Sequence, residues 1–270
     1  MTSATSFTFS TAALANLVNI AKTAGEGIMA VYGKRDFAVQ NKIDESPVTE
    51  ADIVSHNVIV SALGKDFSQW PIMSEEAADI PWNERKHWET YWLIDPLDGT
   101  KEFIKRNGEF TVNIALIHQG QAVVGVVYAP VLESCYSGIK GLGAWREHAG
   151  VETRLDISQR VIGSVPVVVG SRSHISPDVQ EYLAKLGEHQ MQSVGSSLKF
   201  CLVAEGKADV YPRLGLTSEW DTAAAQAVLE AAGGVVVRYP EGDALKYNTK
   251  ENILNPYFIA ASKAWFDNKN

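Results

Sequence analysis

The stretch Trp92-Leu-Ile-Asp95-Pro-Leu-Asp98-Gly-Thr100 joins an apolar run to a tight polar turn. The apolar run predicts a buried strand, the proline ends its hydrogen-bond ladder because it lacks an N–H, and the glycine permits a sharp turn. Asp95 and Asp98 therefore project from one loop at a strand end. Hard divalent cations such as magnesium prefer such oxygen ligands, and N–H groups after the turn can meet a phosphate. An ordinary solvated turn is also consistent with this spacing, because Asp-Pro and Asp-Gly are common in turns.

Two other acidic segments extend this pattern. Ile72-Met-Ser-Glu75-Glu76 places two glutamates at the end of another apolar run, where a solvated strand end is the simpler interpretation of either one alone. Trp220-Asp221-Thr222 begins an alanine-rich segment, where Asp221 alone is most simply a helix N-cap. Taken together, four carboxylates can form a site for two or more metal ions that holds both the attacking water and the leaving oxygen of a phosphate ester. These carboxylates are Glu75, Asp95, Asp98 and Asp221.

Composition limits the class of partner. The 270 residues include 32 acidic and 24 basic side chains, a net charge of -8, whereas a nucleic-acid polymer requires a basic surface. A small phosphorylated substrate remains compatible, because an acidic site that holds divalent metal can be locally positive. Cys135 and Cys201 are too few for a disulfide framework and are expected to be small core residues. Residues 1–10 lack the pattern of a signal peptide and no stretch has the length of a membrane span, so we expect a cytoplasmic protein.

The first half of the chain predicts helices followed by antiparallel strands. Ser10 or Thr11 caps a helix with apolar residues at helical spacing through Val31, and residues 42–49 predict a loop. Thr49-Glu-Ala-Asp52 has the form of a capping box that opens a second helix. The residues expected on the buried face of that helix are Ile53, Val58, Ile59 and Leu63. The strands expected next are 71–74, 91–94, 111–117 and 122–129, the last two joined by a hairpin turn at 118–121.

After Gly150 the predicted elements alternate. The expected strands are 165–169, one near Met191, 209–211 and 235–238, and the expected helices begin at Pro177, Ser196 and Asp221. Alternation of this kind is typical of a layered α/β structure. We therefore expect an α/β protein with an α+β N-terminal half, residues 1–152, and an α/β C-terminal half, residues 153–270.

Ser-Glu-Glu, Asp-Pro-Leu-Asp-Gly-Thr and Trp-Asp-Thr-Ala-Ala, in this order, resemble the lithium-sensitive inositol monophosphatase superfamily over nearly the whole chain. Within it, residues 101–117 and 195–206 resemble the bacterial 3'(2'),5'-bisphosphate nucleotidase branch. Inositol phosphatases typically follow the Gly-Thr with Thr-Asn-Phe-Val-His, whereas this chain has Lys101-Glu-Phe-Ile-Lys105. The resemblance implies the layered α/β/α/β/α sandwich of the sugar-phosphatase superfamily, with the site in the cleft between the two halves.

The resemblance also implies roles for individual residues. Glu75, Asp95, Asp98 and Asp221 would bind two or more magnesium ions per site, and the Leu97 carbonyl would be a further ligand. In the loop Lys-x-Asp-x-Ser-Pro-Val-Thr, Asp44 would be the general base, paired with Thr100 to activate the attacking water.

The implied substrate contacts include residues of both halves. They are Glu75, Leu97, Asp98, Gly99, Thr100, His174, Ser196, Lys199, Arg213 and Asp221. Lys199 and Arg213 can equally be solvated surface charges, and His174 can be a polar loop residue. In one departure, Ala225 stands where the family usually has glycine, and its methyl group either narrows the site or stiffens the helix.

The function implied by the resemblance is removal of the 3'-phosphate of adenosine 3',5'-bisphosphate, which gives AMP and phosphate and recycles a nucleotide of sulfur assimilation. A second candidate substrate is 3'-phosphoadenylyl sulfate. The alternatives are the same chemistry on inositol monophosphate or fructose 1,6-bisphosphate, and a module that senses the nucleotide without turnover. Bacterial members of the family sometimes occur at the inner membrane surface. The sequence does not determine the oligomeric state.

Overall fold

A computed structural model of the chain describes residues 7–35, 39–41, 47–171 and 176–267. The helices are α1 (Thr11–Tyr32), α2 (Glu50–Asp66), α3 (Trp82–Arg85), α4 (Thr100–Ile104), α5 (Pro177–Leu186), α6 (Leu198–Ala204), α7 (Ala223–Ala231) and α8 (Lys263–Asp267). The strands are β1 (Val39–Asn41), β2 (Pro47–Thr49), β3 (Ile72–Ser74), β4 (Thr90–Asp98), β5 (Thr111–His118), β6 (Gln121–Ala129), β7 (Ser134–Ile139), β8 (Gly143–His148), β9 (Val151–Leu155), β10 (Val167–Gly170), β11 (Gln190–Ser193), β12 (Val210–Arg213), β13 (Gly234–Arg238) and β14 (Phe258–Ser262).

Two mixed sheets organise these elements. The first has the order β3-β4-β5-β6-β7-β8-β9, in which β3 and β4 are parallel and all the other neighbours are antiparallel. The second has the order β11-β10-β12-β14-β13, with β10 parallel to β11 and β12. A separate pair, β1 with β2, is antiparallel, so Pro47–Thr49 forms a strand where a loop was expected. Residues 42–46 lie outside the described residues.

Three apolar clusters separate five layers. The first cluster lies between helices α1 and α2 and one face of the first sheet. The second lies between the other face of that sheet, helices α6 and α7, and the second sheet. The third packs α5 and α8 against the far face of the second sheet. The predicted α/β/α/β/α sandwich is therefore confirmed.

Several local predictions are also confirmed. The Ser10 hydroxyl caps α1 by accepting from the Ala13 N–H at 3.1 Å. Thr49 and Asp52 form the expected capping box at the start of α2. Strands β5 and β6 meet in the predicted hairpin turn, and both cysteines are buried and free. In the described ranges, no helix combines the length and the apolar character that crossing a membrane requires.

Other local predictions are wrong. Ile53 is 44% exposed, because the buried stripe of α2 repeats every four residues from Ala51 and residue 53 points away from it. Strand β4 continues through Asp98, and its pairing with β5 is irregular between Asp95 and Asp98. Helix α7 begins at Ala223, two residues after the predicted start. The predicted boundary near residue 152 falls inside β9, so the first sheet extends to Leu155, and the division into two halves stays a prediction.

A pair of glycines brings α7 close to the first sheet. Gly125 on β6 and Gly138 on β7 are direct cross-strand partners. A Cβ at Gly125 would lie 2.0 Å from the Ala224 carbonyl oxygen, and one at Gly138 would lie 3.0 Å from the Val228 Cα. The backbone of α7 therefore packs directly against the backbone of β6 and β7 at these two glycines. Ala225, the departure noted above, packs in the central apolar cluster.

Candidate active site

Strand β4 delivers two of the predicted metal ligands. Asp95 is buried, and its Oδ1 accepts the Leu97 N–H at 3.0 Å across the irregular part of the strand. The Ser55 hydroxyl of α2 holds this segment by donating to the Pro96 carbonyl at 2.7 Å. Gly99 then adopts a φ of 95°, which favours glycine, and the chain turns into α4. The predicted strand-to-turn arrangement is therefore present.

Glu75 reaches the same edge from the neighbouring strand. Because β3 and β4 are parallel, their carboxyl ends lie at one edge of the sheet. The Glu75 N–H donates to the Ile94 carbonyl at 3.1 Å, which places Glu75 next to the residue that precedes Asp95. The sequence analysis predicted that these residues belong to one site, and the parallel pairing brings them together.

Asp221 joins the site from the second half of the chain. It precedes α7, and its Oδ2 accepts the Thr217 hydroxyl at 2.7 Å and the Ser218 N–H at 2.8 Å. Asp221 is therefore held in a turn and is not an N-cap; Thr222 occupies the N-cap position. Ser197 connects Asp221 to Asp98, since its hydroxyl lies 2.8 Å from the Asp221 carbonyl oxygen and 2.7 Å from Asp98 Oδ2.

The four carboxylates influence one another electrostatically. Burial, reinforced by the charges of Glu75, Asp98 and Asp221, raises the pKa of Asp95 well above its usual range. Burial and the charge of Asp98 raise the pKa of Asp221 to about 6. A cation would relieve this repulsion, because opposite charge favours the ionised form of a carboxylate.

The donor set fits a hard divalent cation. In the described part of the chain, hydrogen bonds engage only Oδ2 of Asp98 and of Asp221. Within the described ranges, no group of three or more His, Cys, Asp or Glu side chains is arranged to hold a metal ion. The residues are thus of the right chemistry, and side-chain rotations would be needed to bring their carboxylate oxygens to one ion.

Thr100 has a partner that the sequence analysis missed. Its hydroxyl lies 3.2 Å from Asp52 Oδ1 and 3.4 Å from the Leu97 carbonyl oxygen. Asp52 is buried, and burial raises its pKa, although hydrogen bonds from Thr49 oppose this effect. The sequence identified Asp52 only as part of a capping box, which it is. Asp44, the expected partner of Thr100, lies outside the described residues.

A cavity of about 210 Å³ opens beside the carboxylates, and a second of about 650 Å³ adjoins it. Asp98, Gly99, Ser196, Lys199 and Asp221 line the first. Lys101, Ser171, Tyr211 and Arg213 line both cavities, so the two share part of their wall. His174 lies outside the described residues.

Lys199 is buried, so its interpretation as a solvated surface charge is wrong. It is 8% exposed, and its ammonium group donates to the Ser196 carbonyl at 2.7 Å and lies 3.4 Å from the Val194 carbonyl oxygen. Burial lowers the pKa of Lys199 to about 8. Arg213 is partly buried; its guanidinium bonds to the Leu216 carbonyl, and its Nε has no partner among the described residues. The Ser196 hydroxyl likewise has none in the described ranges.

A five-layered α/β/α/β/α fold with acidic residues at the edge of its first sheet defines the class of sugar-phosphatase-like proteins. The model of the inositol monophosphatase family matches residues 11–268, and the chain belongs to this family. The chain is 52% identical over 247 residues to the 3'(2'),5'-bisphosphate nucleotidase CysQ of Salmonella typhimurium, covering 91% of this chain and 98% of that protein. It is 41% identical over 253 residues to CysQ of Buchnera aphidicola, covering 92% and 93%.

A solved structure agrees with these relatives. The crystal structure of CysQ from Bacteroides thetaiotaomicron, a bacterial member of the inositol monophosphatase family, superposes with a TM-score of 0.83 at 39% identity. The match covers 94% of this chain and 98% of that one. The resemblance to the bisphosphate nucleotidase branch, first drawn from short motifs, is thus confirmed along the chain, and metal dependence is consistent with this family.

Proposed function

We propose that this protein is a magnesium-dependent 3'(2'),5'-bisphosphate nucleotidase that converts adenosine 3',5'-bisphosphate to AMP and phosphate. The observation that carries the proposal is the 52% identity to a protein of that name across 98% of its length. The inositol phosphatase and fructose bisphosphatase alternatives have no comparable support. A small nucleotide is the proposed substrate, and 3'-phosphoadenylyl sulfate is a second candidate.

The reaction would be an in-line displacement by water at the 3'-phosphorus. The new P–O bond forms as the bond to the 3'-oxygen breaks, and that oxygen takes up a proton. Bound magnesium would supply the positive charge that stabilises the transferring phosphoryl group. Glu75, Asp95, Asp98 and Asp221 would hold the metal, together with the Leu97 carbonyl. No phosphoenzyme is expected, because the proposed nucleophile is water.

Thr100 and Asp52 are suited to position that water. The Thr100 hydroxyl donates its proton towards Asp52, so its lone pairs can accept a hydrogen bond from water. Because its pKa is raised, the Asp52 carboxylate is a stronger base than an ordinary aspartate and is better suited to accept a proton from water. We therefore propose Asp52 as the general base acting with Thr100, in place of Asp44.

Asp52→Asn is expected to lower kcat by about a hundredfold or more, the usual contribution of a general base. Asparagine keeps an oxygen for the capping box, so the melting temperature should change little. Asp44→Asn is the matched comparison. If Asp44→Asn alone lowers kcat, the original assignment of the base is right and Asp52 is only a cap.

A substrate panel tests the proposed function itself. Phosphate release from adenosine 3',5'-bisphosphate, 3'-phosphoadenylyl sulfate, inositol monophosphate and fructose 1,6-bisphosphate should be measured side by side with magnesium. We expect the highest kcat/KM with a bisphosphate nucleotide. Binding of the nucleotide without phosphate release would support the sensor alternative.

Lithium should inhibit at concentrations where sodium has little effect. The expectation follows from the family resemblance, and physically from a small monovalent ion replacing one magnesium ion without matching its charge. Inhibition should deepen at saturating substrate, because the ion would occupy a position vacated during turnover. Titrations of lithium and sodium that coincide would count against the proposed mechanism.

Lys199 and Arg213 should select the bisphosphate by contacting its 5'-phosphate. Both line the cavity beside the carboxylates, and hydrogen bonds to Val194 and Ser196 leave the Lys199 ammonium one further N–H. Losing one charge-assisted contact costs about 1.5–3 kcal/mol, roughly ten- to a hundredfold in kcat/KM. Arg213→Ala and Lys199→Met should therefore show this loss with the bisphosphate but not with 3'-AMP, which lacks the 5'-phosphate.

The pKa of Lys199 provides a second readout of the same contact. As the pH rises through about 8, Lys199 loses its proton, so kcat/KM for the bisphosphate should fall more steeply than for 3'-AMP. Lys199→Met should abolish this difference. The exposed Arg154 on β9, at the edge of the first sheet opposite β3, gives the control Arg154→Ala. Equal losses on both substrates would mean that Lys199 and Arg213 support the fold or the metals.

A further inference from the structure

Asn113 and Ser197, which come from different halves of the chain, meet at Asp98. Asn113 lies on β5 and Ser197 immediately precedes α6, and both are buried. The Asn113 Nδ2 lies 2.8 Å from the Ser197 hydroxyl and 3.3 Å from Asp98 Oδ2. The Ser197 hydroxyl in turn lies 2.7 Å from the same Oδ2. Two neutral donors therefore converge on one oxygen of a predicted metal ligand.

The side-chain donors and acceptors of Asn113 and Ser197 each have a partner. The Asn113 Oδ1 accepts the Thr111 hydroxyl at 3.0 Å, which fixes the amide so that both of its N–H groups face Ser197 and Asp98. The Ser197 hydroxyl accepts from Asn113 and has one proton to give, either to Asp98 Oδ2 or to the Asp221 carbonyl at 2.8 Å. An ionised carboxylate is the stronger acceptor. This arrangement holds Oδ2 and leaves Oδ1 of Asp98 to face an ion.

The same contacts join the two halves of the site. Asp98 belongs to the first sheet, whereas Asp221 is positioned by the turn before α7. The Ser197 hydroxyl lies within hydrogen-bond distance of the side chain of Asp98 and of the main-chain carbonyl of Asp221. This hydroxyl thus relates the Asp98 carboxylate to the turn that carries Asp221.

We propose that Asn113 and Ser197 are positioning residues that fix Asp98 and Asp221 in the geometry that binds the divalent cation. The inference rests on the proposed function, since that function requires the cation. Partners that orient metal ligands commonly contribute ten- to a hundredfold in metal affinity or activity. A role confined to packing would affect stability and leave the affinity for metal unchanged.

Ser197→Ala is the direct test, with magnesium titrated calorimetrically into the substrate-free protein. We expect the dissociation constant for magnesium to rise by about tenfold or more. The magnesium concentration for half-maximal phosphate release should rise in parallel, while KM at saturating magnesium changes little. Ser134→Ala is the matched control, because Ser134 is also a buried, hydrogen-bonded serine but lies on β7, three strands away from β4, against Leu132 and His148.

Asn113→Leu and the double variant complete a thermodynamic cycle. Both residues act through one oxygen of Asp98. Each substitution should therefore weaken magnesium binding less when the other is already present than when it is made in the unmodified protein. If Asn113→Leu does not fold, Ser197→Cys, which keeps the volume but donates weakly, should give a loss similar to that of Ser197→Ala. An unchanged magnesium dissociation constant in Ser197→Ala would overturn the inference, as would fully additive losses. If the unmodified protein neither binds magnesium nor releases phosphate, the proposed function fails instead.

Discussion

Asp98→Asn is expected to lower kcat by roughly a thousandfold or more while the protein keeps its fold. Asparagine retains an oxygen that can accept from Ser197 and Asn113, so the surrounding hydrogen bonds survive. It loses the negative charge that a hard cation requires. Metal coordination supplies several kcal/mol of transition-state stabilisation, and each 1.4 kcal/mol is about tenfold in rate. Phosphate release should be measured over a range of magnesium concentrations, together with the melting temperature.

Asp243→Asn is the control for this substitution. Asp243 is an exposed carboxylate that pairs with Arg238 and lines neither cavity of the site, so its loss of charge should leave kcat and the magnesium requirement unchanged. If the Asp98 variant keeps normal turnover at low magnesium, then Asp98 is not a metal ligand. If it fails to fold, the carboxylate contributes to stability more than its hydrogen bonds indicate.

Gly125→Ala is expected to have the largest effect on stability. Its new Cβ would lie 2.0 Å from the Ala224 carbonyl oxygen, a backbone atom, so α7 must move away from the first sheet. Overpacking of this kind costs about 3 kcal/mol in the free energy of unfolding, which corresponds to a melting temperature lower by roughly 6–12 °C. Turnover should fall as well, because α7 begins directly after the turn that holds Asp221.

Gly64→Ala provides the matched comparison. Gly64 lies within α2, and a Cβ there would meet no atom within 4 Å. Alanine is the better helix former, so we expect stabilisation by about 0.5–1 kcal/mol and unchanged turnover. If Gly125→Ala has a normal melting temperature and normal turnover, the helix can shift without disturbing Asp221, and the close approach is incidental.

Much of the site could be predicted from short segments. An apolar run followed by Asp-Pro-Leu-Asp-Gly-Thr predicted that Asp95 and Asp98 lie at a strand end, and β4 has this form. The capping pattern at Thr49 and Asp52 was also recognised. Asp52 was nevertheless missed as a partner of Thr100, because the capping box already accounted for its carboxylate. Lys199 was compatible with a surface charge because a single lysine in a short helix carries no information about what covers it.

The sequence by itself determined the longer helices, the β5–β6 hairpin, the order of the acidic motifs and, through them, the family. These properties depend on local spacing, which sets whether a segment buries one face or ends in a turn. Only the tertiary structure decided which atoms meet. Thr100 bonds to Asp52 across 48 residues, and Ser197 bonds to Asp98 across 99. Such contacts depend on strand order, register and the close approach of α7 to Gly125, and because distant segments must pack together to create them, no short stretch of sequence specifies them.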